Sequence, residues 1–321
     1  MKTTNSGESW DEMNFPEDSL QTSYSINTNS YFLDGNNGWV CGTYGQLART
    51  TDGGTTWTIL GKELVGALVS IRFSSRNVGY ALSRMGDVIK STDGGSNWNR
   101  KQKINSKLLL SSAFESDLTG WAISDIGNGV KESKVFKTTD GGESWFEQLS
   151  DSTVRLKYIS KIFDGRIAVA GYAGVLLVST NGGATWERKT TDTQSDLNYI
   201  YFLNGQFGYL CHTTGLLRTA DGGNSWTPTT LTGNCACIQF VTGQIGYCTS
   251  DDNLFKTVDG GSSWTYVGKA TKSKFHFFNE NLGYIISNIG HVSTTKDGGK
   301  TWSESPRLTF GYINDLVPYD D

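Results

Sequence analysis

Apolar and polar residues alternate along this chain in short runs, as in Ser70-Ile71-Arg72-Phe73 and Tyr199-Ile200-Tyr201-Phe202, and the runs are separated by clusters of Gly, Asn, Asp and Ser. A two-residue period marks strands with one face turned to a core, and a 3.6-residue period is nowhere sustained, so the predicted class is all-β. The strands fall into a repeating unit. The pattern Ser/Thr-x-Asp/Asn-Gly-Gly-x-Ser/Thr/Asn-Trp returns with its acid or amide at Asp52, Asp93, Asp140, Asn181, Asp221, Asp259 and Asp297 and its indole at Trp57, Trp98, Trp145, Trp186, Trp226, Trp264 and Trp302. A variant with Ser for the first glycine lies at Asn5 and closes on Trp10. Successive spacings are 47, 41, 47, 41, 40, 38 and 38 residues, and eight of the ten tryptophans close a motif, which chance does not produce.

A second element recurs between the motifs: Gly38-Trp39, Gly79-Tyr80, Gly120-Trp121, Gly208-Tyr209, Gly246-Tyr247 and Gly283-Tyr284, with Arg166-Ile167 expected in its place in the fourth unit. One unit therefore reads as strand A, a strand B opened by Gly-Tyr/Trp, a strand C ending in Lys/Arg-Ser/Thr, a diglycine turn, and a strand D starting at Trp. Four antiparallel strands in about 40 residues is the content of a propeller blade. The fold class is thus a seven-bladed β-propeller forming a single domain over residues 1–321. Lys2 to Phe15 supply a surplus C end and D strand, and Tyr312 to Val317 a surplus strand A. Closure by pairing of these terminal strands is expected, with an incomplete eighth blade as the alternative. In each turn the Asp or Asn can accept from backbone N–H groups ahead of it while the glycines take positive φ, so the motifs read as structural.

These motifs carry a resemblance. The Asp-Gly-Gly-x-Ser/Thr-Trp turn is similar to the Asp box, or bacterial neuraminidase repeat. Gly79-Tyr80-Ala81 followed by Lys90-Ser91-Thr92-Asp93-Gly94-Gly95-Ser96-Asn97-Trp98 resembles the photosystem II stability/assembly factor family. The resemblance spans nearly the whole chain. It implies a seven-bladed, extracytoplasmic (periplasmic or secreted), non-catalytic propeller that in phototrophs helps assemble a membrane complex. Sialidases carry the same boxes, but their Phe/Tyr-Arg-Ile-Pro segment is met only by Gly165-Arg166-Ile167-Ala168, which lacks the proline. Propeller endoglucanases acting on xyloglucan resemble the chain too, yet need two propellers and a carboxylate pair between them.

Composition narrows the function further. Charged residues are 19% and aromatics 12%, with 39 Gly, 4 Pro and a net charge of −4, which argues against a nucleic-acid-binding face. Basic clusters at Arg100, Lys101, Lys103 and Lys107 and at Lys269, Lys272 and Lys274 read as solvated loops. No apolar run reaches the ~18 residues of a membrane span. The five cysteines (Cys41, Cys211, Cys235, Cys237, Cys248) fit no zinc spacing and leave one thiol over. Consecutive strands would hold Cys235 or Cys237 near Cys248 as one pairing, with buried free thiols the preferred reading. The chain opens inside a repeat unit, without a readable leader.

In a propeller the A–B and C–D turns share one face and the B–C and D–A loops the other, where ligands are usually met. The B–C loops vary while the frame repeats. Tyr44, Arg84, Asp125, Tyr172, His212, Asp251 and His291 are the candidate ligand contacts, with an insertion from Asn128 to Ser133 placed over them. None of the three histidines (His212, His276, His291) stands in a metal-ligand or catalytic pattern. Asp251-Asp252 are adjacent and would point apart. No catalytic residue, metal or cofactor is assigned. The reading is a monomeric scaffold for a protein or peptide partner, with glycan binding or cleavage as the alternative.

Overall fold

The computed structural model describes residues 29–41, 45–61, 66–105, 108–125, 132–270, 275–286 and 292–304. Seven four-stranded antiparallel sheets follow one another at 29–61, 68–100, 109–151, 156–188, 197–232, 235–269 and 275–304, a seven-bladed β-propeller with no helix among the described residues. In every blade the strands lie in chain order A-B-C-D; blade 5, for example, has A at Leu197–Phe202, B at Gly208–His212, C at Gly215–Thr219 and D at Thr227–Thr232. Each strand D begins one residue after its tryptophan rather than at it. The chain divides into two compact units, Met1–Asn105 with Lys272–Asp321, which holds blades 1, 2 and 7, and Ser106–Thr271, which holds blades 3 to 6. The terminal strands expected at Lys2–Phe15 and Tyr312–Val317, and most of the insertion from Asn128, lie outside the described residues.

The diglycine turns have the bonding their sequence dictates. In blade 1 the Thr50 hydroxyl donates to Asp52 Oδ1 (2.8 Å) and accepts from Gly54 N–H (2.7 Å), while Asp52 accepts from the backbone (2.9 Å) and hydroxyl (2.6 Å) of Thr56. The Gly54 carbonyl then accepts from the Trp57 indole at 3.1 Å. Gly53 and Gly54 have φ of 66° and 87°, a region closed to most side chains. The hydroxyl and carboxylate bonds recur in the other blades, with Asn181 keeping them in blade 4 by donating its amide to Thr185 Oγ1 (2.8 Å), and the indole bond recurs in blades 2, 5, 6 and 7. The hydroxyl of Thr56, then its backbone N–H, pulls the Asp52 carboxyl down to about 2, and Thr301 does the same for Asp297. Trp57 and Trp226 are buried, whereas Trp98, Trp145, Trp186, Trp264 and Trp302 are half-buried, and the indole N–H groups of Trp145 and Trp186 have no protein partner. The tryptophan is therefore a rim brace more than a core plug.

The Gly-Tyr/Trp dipeptide answers a steric demand from strand A. The glycine faces a phenylalanine across the A–B ladder, as Gly208 faces Phe202 and Gly79 faces Phe73. A Cβ on Gly208 would stand 2.6 Å from the Phe202 ring. That ring in turn meets Trp226 edge-on, with centroids 6.0 Å apart. Blade 4 corrects the sequence alignment by one position, because Ile167 pairs with Lys161 and Ser179 as Gly79 pairs with Phe73 and Ser91. The dipeptide there is Ile167-Ala168, not Arg166-Ile167. The bulk has changed strands, with Ile167 filling from strand B what phenylalanine fills elsewhere from strand A.

Within each unit, donors aimed at the next diglycine turn stitch blade 1 to blade 2 and blades 3 to 6 to one another. Trp39 Nε1 donates to Gly95 O (3.1 Å), Trp121 Nε1 to Gly182 O (3.2 Å) and Tyr209 Oη to Gly260 O (2.7 Å). Blade 4 has Ala168 at this position, and Arg166 takes over, its guanidinium reaching Gly205 O (2.7 Å) and Gly222 O (3.3 Å) of blade 5. Around these polar stitches the apolar core is shared between neighbours; Trp121, Ile123 and Val135 of blade 3 pack with Leu156, Ile159, Ile167 and Val169 of blade 4.

Candidate functional site

Backbone bonds pair the loops as a propeller requires. Gly94 N–H donates to Asn77 O and Gly222 N–H to Gln206 O, joining these boxes to the A–B turns of their own blades. On the opposite face, Tyr172 N–H donates to Arg155 O (2.9 Å), Thr213 N–H to Asp196 O (3.1 Å) and Asp251 N–H to Asn234 O (3.0 Å), joining B–C to D–A loops. On this second face blades 3 to 6 carry a connected set of polar side chains.

The set starts at Asp125, whose buried carboxylate accepts from Arg155 Nε and Nη2, both at 2.9 Å. The Arg155 guanidinium lies 4.3 Å over the Tyr172 ring, and Lys157 Nζ lies 4.8 Å over the same ring. Lys157 also donates to Asn198 Oδ1 (3.0 Å), and Asn198 Nδ2 donates to Asn234 Oδ1 (2.9 Å) and Cys235 O (3.1 Å). Asn234 N–H closes the line on Asp251 Oδ1 at 3.0 Å. Asp125, Tyr172 and Asp251 are thus brought into one network by Arg155, Lys157, Asn198 and Asn234, which the sequence did not single out.

A backbone irregularity explains why. Near the start of strand A in blades 4 and 5 the register steps over one residue, between Leu156 and Tyr158 and between Leu197 and Tyr199. The residues skipped are Lys157 and Asn198. A bulge re-aims the side chain it carries, so these two leave the in-out alternation that locates core and surface positions. Blade 6 bulges at the same place with Ala236, which offers no polar group.

The remaining candidates fall elsewhere. His212 is buried, which pushes its pKa down and keeps it neutral; its Nδ1 accepts from Thr214 N–H (3.3 Å), so the ring is folded onto its own turn. Thr214 Oγ1 continues to Ser195 Oγ at 2.8 Å. Arg84 is exposed in the B–C loop of blade 2, in the other unit, where Asp87 is paired with Arg100 (3.3 Å) and Lys103 (3.5 Å). Two members of the first basic cluster are therefore ion-paired. Asp251 is exposed at φ 51°, a conformation aspartate tolerates, while its neighbour Asp252 is half-buried. Tyr44 and His291 lie outside the described residues.

The network presents cations and amides around one aromatic ring. Lys157 is a half-buried residue whose ammonium has three donors, one of them engaged by Asn198. Such a surface suits a ligand rich in carbonyl and carboxylate oxygens. Tyr172 is not a free stacking platform, since two cations already lie over it.

Residues 1–101 match the family model described as photosynthesis system II assembly factor YCF48. No curated protein matches the chain. Among solved structures, one described as YCF48 bound to D1 peptide is similar at 17% identity and a TM-score of 0.61, over 84% of this chain and 89% of that one. YCF48 from Cyanidioschyzon merolae is similar at 17% identity and 0.61, over 87% and 95%. A GH74 xyloglucanase from Xanthomonas campestris is similar at 12% and 0.62, over 86% of this chain but only 52% of the enzyme. At these identities the likenesses speak to the fold. Among the described residues no helix is long and apolar enough to cross a membrane.

Proposed function

We propose, from the premise that this chain is a photosystem II assembly factor-like Asp-box β-propeller, that it is a non-catalytic scaffold holding an extended peptide segment of a partner protein outside the cytoplasm. The segment lies on the B–C/D–A face of blades 3 to 6. The observation that carries the reading is the pair of bulged residues, Lys157 and Asn198, held beside Arg155 and Tyr172. Lys157 offers spare N–H donors to a peptide carboxylate, while the Asn198 amide marks the path of its backbone carbonyls. A relative solved with a peptide bound supports the class of ligand.

Glycan chemistry is the competing reading, since an enzyme propeller shares the fold. Its usual requirements are a bare aromatic platform and a free carboxylate pair. Here the Tyr172 ring is occupied by two cations and Asp125 is locked by Arg155. Both observations favour the peptide.

An array of acidic and neutral 15-residue peptides, probed with the full chain beside xyloglucan and sialylated oligosaccharides, tests the proposal. Acidic peptides are retained, and Lys157→Met weakens their affinity about 10- to 100-fold, as loss of a charged hydrogen bond requires, while the protein stays folded. Release of reducing sugar, or peptide binding indifferent to Lys157→Met and Arg155→Ala alike, refutes it.

A further inference from the structure

Three of the five cysteines meet in the core between blades 5 and 6. Cys211 lies on strand B of blade 5, and Cys235 and Cys248 lie on strands A and B of blade 6, all three fully buried. The Cys235 sulfur is central, 2.6 Å from Cys211 Sγ and 2.9 Å from Cys248 Sγ. Both distances are shorter than the ~3.5 Å at which unbonded heavy atoms ordinarily rest. The three belong to one buried apolar cluster with Leu216, Leu231, Ile238 and Phe240. Among the described residues no hydrogen bond or ion pair joins the three to a basic side chain.

Two chemistries would draw thiols this close. A divalent metal ion would take them as three thiolates, leaving one net negative charge in an apolar core that no basic side chain faces. Burial pushes the Cys235 and Cys248 thiols up, while at Cys211 burial is overcome by hydrogen bonds from these two neighbours, which bring it down to about 6, so one of the three sulfurs can ionise and the other two resist. Zinc held at ~2.3 Å from each sulfur would also spread them to ~3.8 Å, the opposite of what is seen. A disulfide is neutral and needs a smaller displacement.

Register and separation select the pair. Within blade 6, Cys235 faces Ser250 and Cys248 faces Ile238, with the bulge between. The two cysteines are diagonal neighbours across that bulge, and their sulfurs lie farther apart than those of Cys211 and Cys235, 2.9 Å against 2.6 Å. Cys211 approaches Cys235 across the blade interface, where no ladder fixes the separation.

We propose that Cys211 and Cys235 join as a disulfide clasping blade 5 to blade 6, with Cys248 remaining a thiol. The two thiols give up two protons and two electrons. A small-molecule disulfide such as oxidised glutathione accepts them by exchange, through a mixed disulfide, and departs as two thiols. Because the finished site is dry, the bond forms before the two blades close over it. Transfer of the bond to Cys248 requires that thiol to ionise, which its burial opposes.

The test is refolding of the full chain in a glutathione redox buffer, followed by thiol titration in denaturant and peptide mapping without reductant. Three of the five thiols should titrate, the map should join the Cys211 and Cys235 peptides, and reduction should lower the melting temperature by about 5–10 °C. Cys248→Ser should keep the crosslink, and Cys235→Ser should leave four titratable thiols. Five free thiols, a bond between any other pair, or stoichiometric zinc or copper released only on unfolding would each overturn the assignment.

Discussion

Replacing Gly208 with alanine isolates the steric logic of the blade. The new methyl would sit 2.6 Å from two atoms of the Phe202 ring and 3.0 Å from Thr219 Cγ2. Gly208 does not have positive φ, so backbone strain contributes nothing and the whole cost is overpacking. The phenyl ring cannot swing away freely, because Trp226 stands edge-on beside it and the ring is mostly buried. Overpacking of this kind costs about 1–3 kcal/mol, and a contact this short on a braced ring belongs in the upper half, about 2 kcal/mol. Calorimetry should register it as a drop of about 3 °C in melting temperature for a chain of 321 residues. Phe202→Leu alone should cost about 1 kcal/mol, and the double variant should cost little more than that, a coupling of about 1–2 kcal/mol between the two sites. Gly243→Ala, whose Cβ would meet nothing within 4 Å, is the control and should be neutral or slightly stabilising. Additive effects of Gly208→Ala and Phe202→Leu to within about 0.5 kcal/mol would refute the reasoning.

Other outcomes follow from the same structure. Arg166→Ala removes both bonds to blade 5 and should lower the urea midpoint by an amount equivalent to about 2 kcal/mol, with Arg166→Lys recovering only part because a point ammonium cannot span two carbonyls. The Asp52, Asp259 and Asp297 carboxyls, pulled from 3.8 to about 2 by bonds from the residue four ahead, stabilise the folded state fully above pH ~4, so the melting temperature should fall as pH drops from 4 toward 2. A flat melting temperature across that window would disprove the role of the boxes. Asn181→Asp should leave stability at pH 7 within about 0.5 kcal/mol while steepening that acid decline, measured by scanning fluorimetry at each pH.

The frame was legible because each blade states it in local chemistry. Ser/Thr before Asp-Gly-Gly fixes a turn through bonds spanning four residues, and the apolar alternation of strands A to C survives in nearly every unit. The fourth blade misled at Arg166-Ile167 because a repeat is aligned by resemblance, whereas register is set by what fills the space opposite. Once Lys161 replaced the phenylalanine, the glycine was no longer required and its successor looked unlike its counterparts. The candidate site was only half legible. Loop residues such as Asp125, Tyr172 and Asp251 stand out by varying against a repeating frame. Lys157 and Asn198 sit inside a strand and are turned toward the loops by a bulge that no periodicity announces. The meeting of Cys211 with Cys235 was equally hidden, since spacing along the chain does not encode which blades touch.

The stitches between blades end on main-chain oxygens, which every unit displays whatever its side chains. Gly243 occupies in blade 6 the turn position that Gly205 holds in blade 5, and Gly260 the one held by Gly222. Were blade 5 excised, Arg166 would find the same two carbonyls waiting on blade 6. Within a unit, adjacent modules meet through a socket of main-chain oxygens, so recombination there can add, drop or shuffle copies without redesigning the joints, leaving the loops of each newcomer free to diverge.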